Sequence, residues 1–587
     1  MEELIARVQA VLDRFPGPGK LLFGNLTADR KSFSALAACL VAILCTYLTP
    51  PVITLGSPPV QAGLRDIGSG APVVVAASYL LMAILAMLAG GTGDAVGHKR
   101  MLLFGLGAVV VGEMASMFWL GTPGFNYADV LLNLAQIAVT PMCIAIVSFA
   151  FVPGVRPFAY GVLFSTQAIA IGLSSALYSV LKPLGNGTIV FLIPVVLGVV
   201  GLRLIQRAVR ETDRDKPVEW RELLINVAWI AGVLLGVYGI VAYAGGFTTQ
   251  NALLVVAVGL GGLALAYRFF YRRLRKRGTL QLYNMRALGF AILAAMVAAM
   301  LQAALFYQYW TYFIDVRGLG PVEASLEYTP LVLGMMAGTM IIVRLATRFD
   351  ARRLIAGGLL LAAIGMMVLV VVGTETSLAY LLIPFAMIGL GLGITGPART
   401  SVILTTPPPR LIGSGAGINS AAGMAGYALG VITSSVFLSG LAGNALASQL
   451  RQAGVPQDAI VKLQSAWGGV FARAMSGDYT KLPAQAEQAL TAHFAPAFTT
   501  AMGQTMLVMG VLAAAAAVAI YLAMEKGLQG SMMQAPAAAG SAAGSAAGSA
   551  AGSAVVAEPI SSPVAAPVTE LVAAADPAGG DGAVETK

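Results

Sequence analysis

Charge is what this sequence has least of. Only 11% of its 587 residues are Asp, Glu, Lys or Arg, against 58% hydrophobic residues and a mean hydropathy of +0.81. A soluble globule of that composition would carry far more apolar surface than its interior could hide, so the chain reads as a membrane protein. Cysteine is nearly absent. Cys39, Cys45 and Cys143 form no CxxC pair, which argues against a disulfide framework and leaves them as small apolar packing residues. Only two histidines occur, His98 and His493, on opposite sides of the membrane in the topology derived below, so no histidine metal site is expected.

What is abundant is the long apolar run. A bilayer-spanning helix needs about 20 mostly apolar residues, and such runs number about fourteen. They lie near 33–55, 71–90, 101–120, 129–151, 158–181, 187–206, 223–244 and 251–270, then 287–313, 325–346, 353–373, 379–403, 413–440 and 499–524. The first run is too long and too deep in the chain for a cleaved leader, so it should remain as an anchor. With the N-terminus in the cytoplasm, only Arg65, Lys182, Arg317, Arg451, Lys462, Arg473 and Lys481 of the 36 basic residues fall outside. That asymmetry sets the orientation, and an even number of spans returns the C-terminus to the cytoplasm. The net charge of +9 is then a matter of topology and lipid, not of nucleic-acid binding.

The domain plan follows. Residues 1–32 form a cytoplasmic N-terminal segment, 33–206 a six-span bundle, and 207–286 two inserted spans with basic cytoplasmic loops. Residues 287–525 form a second six-span bundle that includes an outer loop, 441–498, with amphipathic stretches expected to make short surface helices. Beyond 526 the repeat "AAGSAAGSAAGSAAGSA" and a Pro/Val/Ala-rich segment read as a disordered cytoplasmic tail, 526–587.

Motifs that carry chemistry are scarce. "GLGLGITG" has the GxGxxG spacing at Gly391, Gly393 and Gly396, but it lies in an apolar helix with no strand before it. The pairs Gly389/Gly393 and Gly426/Gly430 have the small-xxx-small spacing that lets helices approach closely in lipid. No cofactor is expected. Glu113 lies about twelve residues into the third run, roughly 18 Å along a helix and near the middle of the bilayer. It either titrates during function or is protonated and bonded to a neighbouring helix. Asp315, Glu323 and Glu327 lie near the outer ends of spans 9 and 10; Glu323 reads as solvated, while Glu327 enters the apolar run and joins Glu113 and Asp315 as a candidate for proton coupling. Gln302, Phe306, Tyr309 and Phe313 recur at i, i+4, i+7 and i+11, a shared polar and aromatic face suited to a flat ligand or to an interfacial anchor.

The stretch "GGTGDAVGHKRMLL" places an acid and three basic residues between two apolar runs. It resembles the loop between spans 2 and 3 of the major facilitator superfamily, G-x-L-a-D-r-x-G-r-k. Gly90, Asp94, Gly97 and Lys99 match that pattern, while Thr92, Ala95 and His98 depart from it. The likeness extends over roughly 33–525 and points to the fourteen-span drug:proton antiporter branch, through "YFIDVRGLGPVEASLEYTP", "GLGLGITGPARTSVILTTPPPRLIGSGAGINSAAG" and the loop before the last span. It implies an all-α polytopic membrane protein of two six-helix bundles plus two inserted helices, monomeric in a bacterial inner membrane. It further implies that Asp94 gates the cytoplasmic side by accepting from the start of a helix in the second bundle, and that Gln136, Gln302, Phe306, Tyr309 and Asn419 border the substrate cavity.

Departures from the branch bear on coupling. Thr49 stands where the branch has a span 1 acid, Asn133 replaces a span 4 Arg although Gln136 keeps its Gln, and span 5 lacks the Gly-Pro motif. The resemblance implies a secondary transporter, not an enzyme, exporting a hydrophobic or amphipathic small molecule by alternating access on a proton or other ion gradient; a facilitator or uptake symporter is the alternative. The topology makes one direct prediction. A cysteine at Ser476 should react with an impermeant thiol reagent added to intact cells, whereas one at Ser545 should react only after lysis; the reverse pattern would invert the orientation.

Overall fold

The computed structural model describes residues 30–48, 71–119, 125–151, 155–181, 189–211, 285–346, 348–405, 411–452, 457–458 and 484–525. Helices dominate them, and they contain no strand. In chain order these are α1 (Arg30–Leu48), α2 (Ala71–Val96), α3 (His98–Trp119), α4 (Phe125–Ala150), α5 (Arg156–Leu181) and α6 (Ile189–Ala208). After them come α7 (Met285–Thr311), the short α8 (Pro321–Leu326), α9 (Thr329–Ala346), α10 (Ala351–Val368), α11 (Leu382–Thr405), α12 (Ile412–Gln452) and α13 (Ala484–Ala523). Among the described residues, eleven segments are long and apolar enough to cross a membrane, and α4, at 26 residues, spans about 39 Å at 1.5 Å per residue. Spans expected near 223–244 and 251–270 lie outside the described residues.

Hydrophobic side chains divide into three cores. One joins α1, α3, α4, α5 and α6, and a second joins α7 with α9–α13. The third is a seam of small side chains between α2 and α12: Ala76, Ala83, Ala86 and Ala89 against Ala421, Ala425 and Ala428. Lipid tails are as apolar as leucine, so close backbone approach has to hold such helices together. The glycine pairs serve this purpose. Gly389 and Gly393 of α11 pack on the backbone of α9 at Leu331 and Met335, Gly426 and Gly430 of α12 pack on α7 at Met296 and Met300, and Gly391 faces Gly358 and Ala362 of α10. The GxGxxG spacing is therefore a helix-packing device with two faces.

Some polar cross-links inside the bundles join neutral hydroxyls. The Tyr47 and Thr140 hydroxyls are 2.9 Å apart between α1 and α4, and Ser148 and Tyr160 2.8 Å apart between α4 and α5. Each such bond is worth about 0.6 kcal/mol in a membrane. Phe104, Phe118, Ile383 and Leu522 are exposed, as side chains facing acyl chains must be. Cys39, Cys45 and Cys143 are free and buried, as their apolar setting suggested.

One boundary is corrected. Residues 441–452, expected to begin an outer loop, continue α12 without a break, and α13 already begins at Ala484. Ala442, Leu446 and Leu450 remain on the buried side of α12, so the apolar stripe carries the helix past the expected end of the span.

Candidate functional site

At the α2–α3 corner the chain reverses in a single residue. Gly97 is the only non-helical position there, with φ at +110°, and a side chain at this point would also strike Glu211. Asp94 therefore sits in the last turn of α2, held rigidly, and its carboxylate is fully buried. It meets the N-terminus of α12. Asp94 Oδ1 accepts from the Gly413 amide at 2.7 Å and from His98 Nε2 at 3.1 Å. Asp94 Oδ2 accepts from the Ser414 amide at 2.7 Å and the Ser414 hydroxyl at 2.6 Å. The first amides of a helix have no intrahelical acceptor and carry its positive end, so a carboxylate is the group they bind best. Hydrogen bonds to a charged group contribute about 1.5–3 kcal/mol each.

The neighbouring residues explain why the two helices can meet so closely. Gly90 has no room for a side chain against Gly413 and Gly417, and Gly417 packs on the backbone of Ala86 and Met87. Gly90 thus serves contact rather than turn conformation. The basic residues divide their roles: His98 holds Asp94 and lies 5.3 Å from the Phe149 ring, Lys99 Nζ donates to the Gln206 carbonyl at 2.8 Å, and Arg100 Nε is 3.5 Å from Glu211. His98 and Ser414 carry this contact together with Asp94. Ser414 is 320 residues away in sequence, and no local pattern pointed to it.

Away from Asp94, the bundles meet a second time at α5 and α9. Gly161 admits Thr339 and Pro397, and Ser165 Oγ donates to Thr339 Oγ1 at 3.2 Å. Beyond this contact a small recess of about 40 Å³ lies between α5, α7 and α8–α9. Ala168 and Ile171 form one wall; Gln302, Phe306 and Trp310 form another, and Ser325, Tyr328, Val332 and Met335 complete it. Phe306 and Tyr328 face each other with ring centroids 4.7 Å apart, and among the described residues no Asp, Glu, Lys or Arg lines the recess. Trp310, Tyr328 and Met335 escaped the sequence reading, since only juxtaposition of three helices makes them neighbours.

The expected aromatic face divides in two. Gln302 and Phe306 reach the recess, but Tyr309 and Phe313 are fully buried inside the second bundle with Tyr312 and Phe385, the Tyr309–Phe385 centroids being 5.1 Å apart. Tyr309 is therefore neither cavity lining nor an interfacial anchor. The cause is tertiary packing: Phe385 of α11 and Tyr328 close over Tyr309 and Phe313, the latter lying in a π-turn, Tyr312–Val316. Asn419 is likewise away from the recess: it is buried and accepts from Thr400 Oγ1 at 3.2 Å, tying α12 to α11. Gln136 is buried on α4 and does not line the recess.

The carboxylates also part company. Glu113 is fully buried in the first bundle, near Cys45 of α1. Glu327 is half-buried at the break between α8 and α9, in the neighbourhood of Arg317. Glu323 caps α8 by accepting from the Gly320 amide at 3.1 Å, and Asp315 belongs to the π-turn. The described residues hold no cluster of three or more His, Cys, Asp or Glu fit for a metal ion.

Comparison with known proteins agrees with this geometry. The family model of the Major Facilitator Superfamily matches residues 32–431. The chain is 28% identical to a puromycin resistance protein of Streptomyces alboniger, covering 69% of this chain and 81% of that one. It is 22% identical to a tetracenomycin C resistance and export protein of Streptomyces glaucescens (73% and 80% covered) and 22% identical to the multidrug efflux pump LfrA of Mycolicibacterium smegmatis (69% and 80%). Among solved structures, the human organic anion transporter MFSD10 superposes with a TM-score of 0.53 at 12% identity, covering 82% of this chain and 99% of that one. An auto-inhibited POT family peptide transporter gives 0.53 and 12%, with 85% and 97% covered.

The bonds to α12 yield a measurable expectation. Replacing Asp94 by Asn substitutes a donor for an acceptor and removes the charge, so hydrogen exchange across 411–416 should accelerate roughly 10- to 150-fold, the equivalent of about 1.5–3 kcal/mol. Unchanged exchange at Gly413 and Ser414 would mean that the carboxylate does not hold this helix end.

Proposed function

The chain belongs to the Major Facilitator Superfamily, and we propose that this multi-pass membrane transporter exports a hydrophobic or amphipathic organic compound by alternating access, coupled to protons. One observation carries the reading. A buried carboxylate joins the two bundles at one end, while an uncharged aromatic recess lies between them further along. Two bundles that share a site and part at alternate ends are what alternating access requires. The names of the relatives, resistance and efflux proteins, favour export of organic compounds over uptake of a metabolite. In the cytoplasmic-N-terminus orientation, Asp94 closes the cytoplasmic side.

The recess suits a flat, largely apolar molecule. Phe306 and Tyr328 offer ring faces, Trp310 adds a third, and Gln302 and Ser325 supply hydrogen bonds that fix orientation. Removing one ring face by Phe306→Ala should weaken binding about tenfold, near 1.4 kcal/mol. No ATP-binding motif occurs, so a gradient must supply the energy.

Complete burial at mid-membrane favours Glu113 over Glu327 as the proton carrier. A carboxyl group in such a setting exchanges its proton only when a conformational change lets water reach it, whereas half-buried Glu327 has water access throughout. Facilitated transport remains the second reading because Thr49 occupies the position of the span 1 acid.

Proteoliposomes loaded with radiolabelled puromycin or with ethidium test both parts. A pH gradient should drive accumulation by the wild type. Glu113→Gln should abolish uphill accumulation while sparing downhill exchange, Glu327→Gln should keep both, and Phe306→Ala should raise the half-saturating concentration about tenfold. Accumulation undiminished in both carboxylate variants would put proton coupling on other groups, and a wild type that exchanges substrate downhill but never accumulates it under a pH gradient would leave the facilitator reading.

A further inference from the structure

Arg399 lies in α11, six residues before its C-terminal residue Thr405, or roughly 9 Å along the axis. Its Nε and Nη1 are buried and have no hydrogen-bond partner among the described residues. No described carboxylate is near enough to offset its charge. The other arginine buried in this bundle is satisfied quite differently: Arg352 Nη1 donates to the Tyr521 carbonyl at 3.0 Å, and its guanidinium lies over the Tyr521 ring at 4.8 Å. Long cations near a helix end usually carry their head group out to water; Arg399 is part-exposed, yet two of its guanidinium nitrogens stay buried.

Its position in the fold gives this cation a purpose. Residues three apart share a helix face, and Gly396, three before Arg399, looks across the bundle interface at the Phe164 ring of α5, 3.6 Å from where a Cβ would stand. Gly393, six residues before Arg399 and so about 9 Å away along the axis, packs against Met335, a wall of the recess. The recess itself has no charged side chain among the described residues. A guanidinium in a medium of low polarity, with two of its nitrogens unpaired among the described residues and next to the contact between the bundles, is a site for an oxyanion. The planar fork matches a carboxylate or phosphate oxygen pair, and burial strengthens the attraction.

We infer that Arg399 binds the acidic group of a carried compound, so that the transported class includes aromatic molecules bearing a carboxylate or similar oxyanion. This rests on the export reading and narrows its substrate class: the recess takes the apolar body, and Arg399 takes the acid once the bundles part at this end. The headgroup phosphate of an anionic lipid offers the same chemistry, and membrane composition separates the two sources.

The probes are 2-naphthoate and 2-naphthamide, one flat body with and without charge. Full-length protein in nanodiscs of phosphatidylcholine should bind the naphthoate at least about tenfold more tightly than the amide. Arg399→Gln should erase that preference, and Arg399→Lys, which keeps the charge but not the fork, should retain part of it, with thermal melts showing that both variants fold. Equal binding of the two probes by the wild type, or a preference that survives Arg399→Gln, would overturn the assignment. So would a preference that vanishes in phosphatidylglycerol nanodiscs with amide binding unchanged, which gives the site to lipid. Accumulation of the neutral amide in proteoliposomes tests export separately: amide carried without any naphthoate preference sinks only the role of Arg399, and failure to carry either probe counts against the export reading while the binding difference still decides Arg399.

Discussion

One buried carboxylate at one helix end joins the two bundles by hydrogen bonds. The two bundles touch elsewhere through uncharged side chains, alanine, glycine and threonine together with Leu80, Met87, Ile432 and the Tyr79–Tyr427 ring pair, surfaces that fit closely but bind weakly in lipid. Asp94 differs because it is charged, buried and fully engaged, taking four donors from Gly413, Ser414 and His98. Such a contact is strong while made and costly to leave half-made, because each amide and the carboxylate must find water when the helices separate. A joint of that kind has two states rather than a continuum between them.

The smallness of the surrounding residues is part of the same design. Gly90, Gly413 and Gly417 bring α2 and α12 so close that the carboxylate reaches the helix terminus, and larger side chains there would hold it off. Glycine pairs inside the second bundle do the opposite job: they fuse α11 to α9 and α12 to α7, so those helices travel together. Rigid bundles and a separable seam thus come from one residue type used at different places. The recess, with its rings and no formal charge, lies where the bundles do not fully close.

Much of this was legible in the chain. The runs of apolar residues marked every described helix long enough to cross a membrane, though not the short α8, because a bilayer forces about 20 such residues per span. Small-residue spacing identified the packing faces of α11 and α12, and the acid among the glycines of "GGTGDAVGHKR" marked the joint. Its partners were not legible. Ser414 and Gly413 are ordinary small residues until the fold brings them to Asp94, and periodicity is a local signal that carries no pairing information. The aromatic stripe misled for a definable reason: spacing put Tyr309 and Phe313 with Phe306, but what covers each ring depends on distant helices, and Phe385 of α11 encloses Tyr309 and Phe313. Helix ends past the membrane also escaped, since hydropathy reports where lipid begins and not where α12 stops. Arg399 drew no notice because the feature that distinguishes it, the lack of a partner, exists only in three dimensions.

The central claim is that Asp94 holds one end of the transporter shut. Spin labels at Arg207 of α6 and Arg353 of α10, both exposed at the Asp94 end and one on each bundle, report the separation directly by electron double resonance. In the wild type the distances should form one short, narrow population. In Asp94→Asn a second population, longer by several ångströms, should appear and grow at the expense of the first, because the loss of about 1.5–3 kcal/mol shifts such an equilibrium by one to two orders of magnitude. Identical distance distributions in the two proteins, with the variant folded, would contradict the account.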